Sequence, residues 1–237
     1  MINKKLNINK LSKEFKEKKA IRIDNFFEEG FASKLSHFFT KEMPRDWWYL
    51  STMPKRPECT EITDNVRLNG EDDTNTLVTY KKAIAENAFQ RGMFSYSFKR
   101  TIDNHNTACI CMECELRSFL KSPEAIKLIN SITGSKITEA TQLFSSLYEE
   151  GDFLSIHHDG PNGKVGFVFN LCPGWLADWG GLLHTLDNEQ KAVTKTYVPG
   201  FNTLTLFDSS QDTGYPHYVS HVLKKDAKRI SFTGWYK

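Results

Sequence analysis

The chain has 237 residues, 39 % hydrophobic and 25 % charged, with a formal net charge of +2. That length can bury a core without a disulfide or metal staple and makes one domain the default. The near-balanced charge excludes a nucleic-acid footprint built on net charge, so no nucleic-acid partner is expected.

In chain order, Met1–Ala20 is Lys-rich, is interrupted by Glu14 and Glu17, and holds no continuous apolar run. It reads as an amphipathic surface helix around Leu11 and Phe15, neither a secretory signal nor a membrane span. Without an export signal the five cysteines (Cys59, Cys109, Cys111, Cys114 and Cys172) are expected as reduced thiols in a cytoplasmic protein with no membrane association. Phe31, Leu35, Phe38 and Phe39 form one helical stripe, and Thr74–Gln90 carries a second through Leu77, Ile84, Ala85 and Phe89. Trp47-Trp48-Tyr49, followed by Pro54 and Pro57, reads equally as an aromatic lid over a cleft or as core packing. The acidic loop Cys59–Asp73 reads as a lid or a solvated surface loop. Cys109-x-Cys111-x-x-Cys114 has no fourth ligand at finger spacing after it, which favours buried thiols over zinc. A third helix is sharply delimited: Ser122 caps, Pro123 takes the first helical position, Ala125, Ile126, Ile129 and Ile132 supply the apolar face, and Gly134 a left-handed stop.

Near residue 140 the texture changes from helical periodicity to short apolar or alternating runs. The predicted strands are Gln142–Tyr148, Phe153–His157, Val165–Leu171, Leu182–Leu186, Thr203–Phe207, His217–Leu223 and Arg229–Tyr236. Gly151, Pro161, Gly163, Pro173-Gly174, Gly180-Gly181, Pro199-Gly200 and Gly214 punctuate them. Short strands at this spacing make a sandwich, jelly roll or barrel. A single domain over 1–237 follows, with a helical, cleft-framing part over 1–140 and a β-core over 141–237.

Chemistry concentrates in the histidines of the β-half: His157, His158, His184, His217 and His221. Asp159 follows His157 by two positions, and in an extended chain such residues point to one side, so the run FLSIHHDG (153–160) can offer both to one cation. His158 points away. The third ligand is His217 or His221, which are four apart and so share a strand face. Two imidazoles and a carboxylate on one face leave three positions open, the donor set of non-haem Fe(II) oxygenases. A His-x-Asp pair by itself usually marks a turn with a surface histidine. His184 either faces a substrate or sits on the sheet exterior.

From about Thr141 to Lys237 the sequence resembles the 2-oxoglutarate-dependent oxygenases of the prolyl 4-hydroxylase type. The pattern runs Tyr148, Gly151-Asp152-Phe153, His157-x-Asp159, Pro173-x-Trp175, Gly180-Gly181, Pro199-Gly200-Phe201-Asn202, Pro216-His217-x-Val219, then Arg229-x-Ser231 ahead of Trp235. Order and spacing are most similar to the prolyl hydroxylases that act on a ribosomal protein. Phe89–Arg100 is loosely similar to the segment that frames the cleft in such enzymes.

The resemblance implies an α+β, mainly β fold: a double-stranded β-helix (jelly roll, cupin-like) with N-terminal helices packed on one sheet. It implies Fe(II) held by His157, Asp159 and His217, with His221 either beside them or simply packed. It also implies 2-oxoglutarate and O2 as cosubstrates and ascorbate as reductant. The far carboxylate of 2-oxoglutarate needs a buried cation, and Arg229 offers a planar fork that stays charged; a surface ion pair with Asp226 is the bland alternative. Ser231 and Tyr148 can each add a hydroxyl donor. Asn170 stands where the resembling enzymes carry a tyrosine close to the cosubstrate, so either the cosubstrate grip or the pocket shape differs. Halogenating relatives replace the carboxylate ligand with a small residue, so Asp159 implies hydroxylation. The expected substrate is a prolyl residue of a protein or peptide; the alternatives are a free amino acid or small metabolite, or a catalytically inactive jelly-roll binding protein.

Overall fold

One antiparallel sheet of twelve strands organises the protein, seen in a computed structural model that describes residues 1–54, 65–102, 109–210 and 214–237. The predicted N-terminal helix is α1 (Ile8–Lys18), capped by the Asn7 side chain and burying Phe15. Then come β1 (Ala20–Asp24), α2 (Glu29–His37), β2 (Trp48–Met53), β3 (Val66–Arg67), α3 (Asp72–Gln90) and β4 (Tyr96–Thr101). The helices α4 (Met112–Leu120) and α5 (Pro123–Thr133) precede β5 (Ala140–Tyr148), β6 (Phe153–His157), β7 (Val165–Leu171) and β8 (Leu183–Leu186). The chain ends with β9 (Val193–Tyr197), β10 (Phe201–Asp208), β11 (His217–Val219) and β12 (Arg229–Tyr236).

The strand order β1-β10-β7-β12-β5-β4-β6-β11-β8-β9 curls into a nearly closed, barrel-like jelly roll. The predicted caps of α5 are in place: Ser122 accepts from Ala125 N and Gly134 closes the helix at φ 71°. The helices cover one face of the sheet, where Phe15, Leu35, Phe119 and Ile129 meet Phe167, Phe169 and Phe232. The other face, with Tyr96, Phe98, Phe144, Tyr148 and Phe207, forms a second apolar cluster inside the roll.

The first 140 residues are not only helical, as their texture suggests. They supply β1 to β4; β1 pairs with β10, and β4 lies between β5 and β6. The alternation of β4 is hidden because both of its faces are buried, with Ser97 and Lys99 enclosed on one side and Tyr96 and Phe98 on the other. β9 was also not expected, since it is a largely exposed edge strand of Thr and Lys with little apolar signal. The predicted strand His217–Leu223 ends at Val219. Of the Trp47-Trp48-Tyr49 run, the two tryptophans pack in the helix-side core: Trp48 is buried on β2 and Trp47 lies 6.3 Å from the Phe38 ring. Of the acidic loop, residues 59–64 fall outside the described residues; Val66–Arg67 pairs with β2 and Asp72-Asp73 opens α3.

Phe169 sits on β7 with Phe27 at 4.9 Å and Phe26 at 6.3 Å between ring centroids, so one side chain joins the N-terminal segment to the sheet. Phe169→Ala is expected to lower stability by about 3–5 kcal/mol, read by denaturant unfolding. A loss under about 1 kcal/mol would mean that this junction carries little of the core energy.

Candidate metal centre

The antiparallel register sets His157 of β6 directly opposite His217 of β11, and their rings lie 4.3 Å apart. Asp159 comes two residues after His157 but has left the strand: its backbone is helical (φ −81°, ψ −19°) at the start of a short 3-10 turn over Gly160–Asn162. The turn swings the carboxylate back between the rings. Oδ1 lies 3.5 Å from His157 Nε2 and Oδ2 lies 3.4 Å from His217 Nε2. All three donor atoms fall within 4.8 Å of one another.

Each histidine is held by the carbonyl two residues before it. His157 Nδ1 lies 2.9 Å from Ser155 O, and His217 Nδ1 lies 3.1 Å from Tyr215 O. A carbonyl only accepts, so both rings carry their proton on Nδ1, and in the neutral ring the Nε2 lone pair faces the carboxylate. Burial pulls the His217 pKa down to about 4, with His157 adding to the drop and Asp159 opposing it. Burial works against the Asp159 carboxylate, yet the adjacent His217 and His157 hold it below its ordinary range. Two lone pairs and a carboxylate converging at 3.4–3.5 Å form a site that only a cation completes. The residues present therefore fit an Fe(II) ion.

Beside these three side chains, Tyr148, Arg229 and Ser231 line the same cavity of about 350 Å³, a size suited to a small organic ligand. Arg229 is only 2 % exposed and, among the described residues, no carboxylate pairs with it; the Asp226 ion pair does not form. Its Nε has no hydrogen-bond partner, its Nη1 donates to Ser231 Oγ at 3.4 Å, and its guanidinium carbon lies 4.9 Å from the Tyr148 ring centre. A buried guanidinium with no carboxylate among the described residues suits an anionic ligand. Ser231 Oγ also meets Ser146 Oγ at 2.8 Å. Burial pushes the Tyr148 phenol upward, so it stays a hydroxyl donor. Asn170 pairs in register with Ser231 and is buried with Oδ1 unpartnered, but it does not line the cavity.

The double glycine shapes the Arg229 wall. Gly180 and Gly181 take φ of +71° and +63°, and a Cβ on Gly181 would stand 2.9 Å from Val222 Cγ2 and 3.1 Å from Arg229 Cδ. Only glycine adopts that backbone freely and admits the arginine stem so close.

His221 lies apart from the ligands. It stacks on Phe153 at 4.2 Å and meets Glu86 Oε2 at 3.0 Å. His184 stacks on Tyr218 at 4.5 Å and bonds Thr196 Oγ1, away from the cavity lining. The cavity also takes Phe94, Tyr96, Phe98 and Arg100 from β4 and the turn before it, with Gln142 and Asn162 joined at 3.2 Å. The period-two stripe 94-96-98-100 was the available sequence signal for that wall.

The family model of the 2OG-Fe(II) oxygenase superfamily matches residues 143–237. Prolyl 3-hydroxylase OGFOD1 of Mus musculus is 29 % identical over 113 residues, 46 % of this chain and 20 % of that protein. Its Xenopus laevis counterpart is 30 % identical over 113 residues, 46 % of this chain and 22 % of the relative. The match thus spans about a fifth of the length of these curated relatives. Among solved structures, a prolyl hydroxylase from Trichoplax adhaerens, in complex with a hypoxia inducible factor oxygen degradation domain peptide fragment, superposes with TM-score 0.59. It is 18 % identical, and the match covers 97 % of this chain and 88 % of that one. A 2OG-Fe(II) oxygenase family oxidoreductase from Burkholderia pseudomallei gives TM-score 0.60 at 11 % identity, over 100 % and 93 % of the two chains. These likenesses share the fold, and the sequence that matches the family model runs from β5 through β12, the part of the chain that carries His157, Asp159, His217 and Arg229.

Proposed function

We propose that the protein is an Fe(II)- and 2-oxoglutarate-dependent dioxygenase that hydroxylates a prolyl residue in a protein or peptide. The observation that carries this reading is the single cavity in which His157, Asp159 and His217 converge beside Arg229, a buried cation with no carboxylate partner among the described residues. In this reading His157, Asp159 and His217 hold the iron. Arg229 takes the far carboxylate of 2-oxoglutarate through its planar fork, with Ser231 and Tyr148 donating hydroxyls beside it. Bound iron and 2-oxoglutarate supply oxidative decarboxylation to succinate and carbon dioxide, coupled to O2-dependent hydroxylation of a C–H bond. Asp159 fills the carboxylate position and so directs the outcome to hydroxylation. Ascorbate serves as the reductant. A cytoplasmic setting fits the four described cysteines, none of them in a disulfide.

The prolyl assignment is supported by the curated relatives, both named as prolyl 3-hydroxylases, and by an apolar rim. Phe94, 47 % exposed, lines the cavity 6.3 Å from the His157 ring, next to Met93 at 49 % exposure. A prolyl ring is apolar and has no N–H to satisfy, so such a rim shields it from water at little polar cost. A free amino acid is the second reading, favoured by Arg100, a cation in the same cavity able to meet an α-carboxylate.

The test is to add Fe(II) and then 2-oxoglutarate to the apoprotein without oxygen and record the visible metal-to-ligand charge-transfer band. The band is expected in the parent protein and absent or weakened in His217→Ala and Arg229→Ala, with His221→Ala unchanged. No band from folded protein would sink the oxygenase reading and revive the binding-protein one. Mass spectrometry of proline-containing peptides against free amino acids then separates the two substrate readings, and amino-acid analysis assigns the ring carbon.

Gly181→Ala is expected to crowd the Arg229 stem and raise the KM for 2-oxoglutarate by roughly tenfold, about 1.4 kcal/mol of binding. An unchanged KM would detach the double glycine from the cosubstrate.

His217 gives the apoprotein a pH dependence. Its folded pKa of about 4 lies below the ordinary 6.5, so the unfolded chain binds the proton first. The associated stability is complete above pH 6.5 and falls as pH drops towards 4, by on the order of 3 kcal/mol. Urea titrations of metal-free protein across that window should show the loss, and His217→Gln should flatten it.

A further inference from the structure

Three cysteines stand together at the start of α4, away from the cavity described above. Cys109 lies in the segment leading to the helix, Cys111 is its N-cap residue, and Cys114 is in the first turn. Their Sγ atoms all lie within 4.8 Å of one another, and all three residues are half-buried. Zinc–thiolate bonds are about 2.3 Å, so tetrahedral sulfurs sit about 3.8 Å apart, near the spacing within 4.8 Å found here.

Two backbone amides already point at this sulfur group. The amide of Cys111 bonds the Cys109 sulfur, and that of Cys114 bonds the Cys111 sulfur. N–H groups aimed at sulfur stabilise thiolate charge, and a helix N-terminus adds to it. The Cys109 thiol is accordingly shifted down, whereas burial pushes Cys111 and Cys114 up. A triad of this kind carries its full charge only when a cation displaces the remaining thiol protons.

We propose that Cys109, Cys111 and Cys114 form a second metal site that takes a thiophilic d10 cation, zinc foremost, through three thiolates. The site is independent of the oxygenase reading. It would fix the start of α4, whose Glu113 accepts from Thr101 Oγ1 of β4 at 2.7 Å and Ser145 Oγ of β5 at 2.8 Å. Those strands form a wall of the active cavity, so the metal would act as a clamp on the frame and not as a catalyst.

Cobalt(II) is the probe that separates the two metal sites. The full chain, with its thiols kept reduced, is titrated with Co(II) and then with Zn(II). Imidazoles and a carboxylate give no sulfur-to-cobalt charge-transfer band, so such a band reports the cysteines alone. The expected result is that band together with tetrahedral d–d absorption, displaced by one zinc per chain. It should be lost in Cys111→Ser and Cys114→Ser and kept in Cys172→Ser, whose thiol is buried elsewhere. Circular dichroism confirms that each variant is folded; a misfolded serine variant is replaced by the alanine variant. No sulfur band in reduced, folded protein overturns the proposal, as does a band that survives both serine substitutions. A disulfide that forms in air, with no metal bound by the reduced chain, overturns it too.

Discussion

The Asp152 carboxylate is the point on which the rest of the roll depends. Fully buried in the turn between β5 and β6, it meets Lys82 of α3 and both Ser97 and Lys99 of β4, and it accepts the backbone N–H of Glu149. Lys99 is itself buried and stays charged: burial opposes the ammonium, but Asp152 and Glu149 raise its pKa above the ordinary value. Removing one partner of such a pair leaves an uncompensated charge, which costs far more than the pair is worth by itself. The backbone of the same turn is tied as well, since Gly151 N bonds Val222 O and Val222 N bonds Asp152 O. A single turn thereby fixes β4 between the strands bearing Tyr148 and His157, and it anchors the segment that leaves β11 after Val219.

With that frame set, the cluster of His157, Asp159 and His217 needs little local help. Register places His157 against His217, and one carbonyl each sets their tautomers. Neither histidine spends its Nδ1 on another side chain, so ring orientation follows from backbone conformation alone. Asp159 reaches them by departing from the strand. The carboxylate completes the group because the 3-10 turn begins at that residue, and pairing beyond His157 would have carried it along β6 instead.

The parts of this arrangement that were legible in the sequence are those whose signals are local. Phe153–His157, Val165–Leu171 and Arg229–Tyr236 are strands with the same bounds as their apolar runs, and α5 lies between the cap and the stop read from Ser122 and Gly134. His-x-Asp is also local, although the geometry that unites the pair is a turn and not the extended chain that the two-residue spacing suggests. Long-range pairing left no such trace. His217 and His221 are equivalent by strand periodicity only while the strand lasts, and β11 stops at Val219, which sends His221 to Phe153 and Glu86. β4 was hidden for a different reason: polar residues on its second face are satisfied by a buried ion pair, so the polar positions do not mark solvent.

The same trade between local cost and a satisfied partner governs Arg229. Among the described residues the buried guanidinium has no carboxylate partner and is held by neutral groups, the Ser231 hydroxyl and the face of the Tyr148 ring. Tyr148 in turn stacks on Phe98 at 5.0 Å and 10°, so Phe98, Tyr148 and Arg229 form a layered stack from β4 through β5 to β12. Cation–π contact offsets part of the desolvation cost but supplies no countercharge. The wall is therefore rigid yet electrostatically incomplete, and an anion that completes it binds only the folded state. Such binding adds its free energy to the stability of the roll, which couples occupancy of the pocket to the fold that builds it.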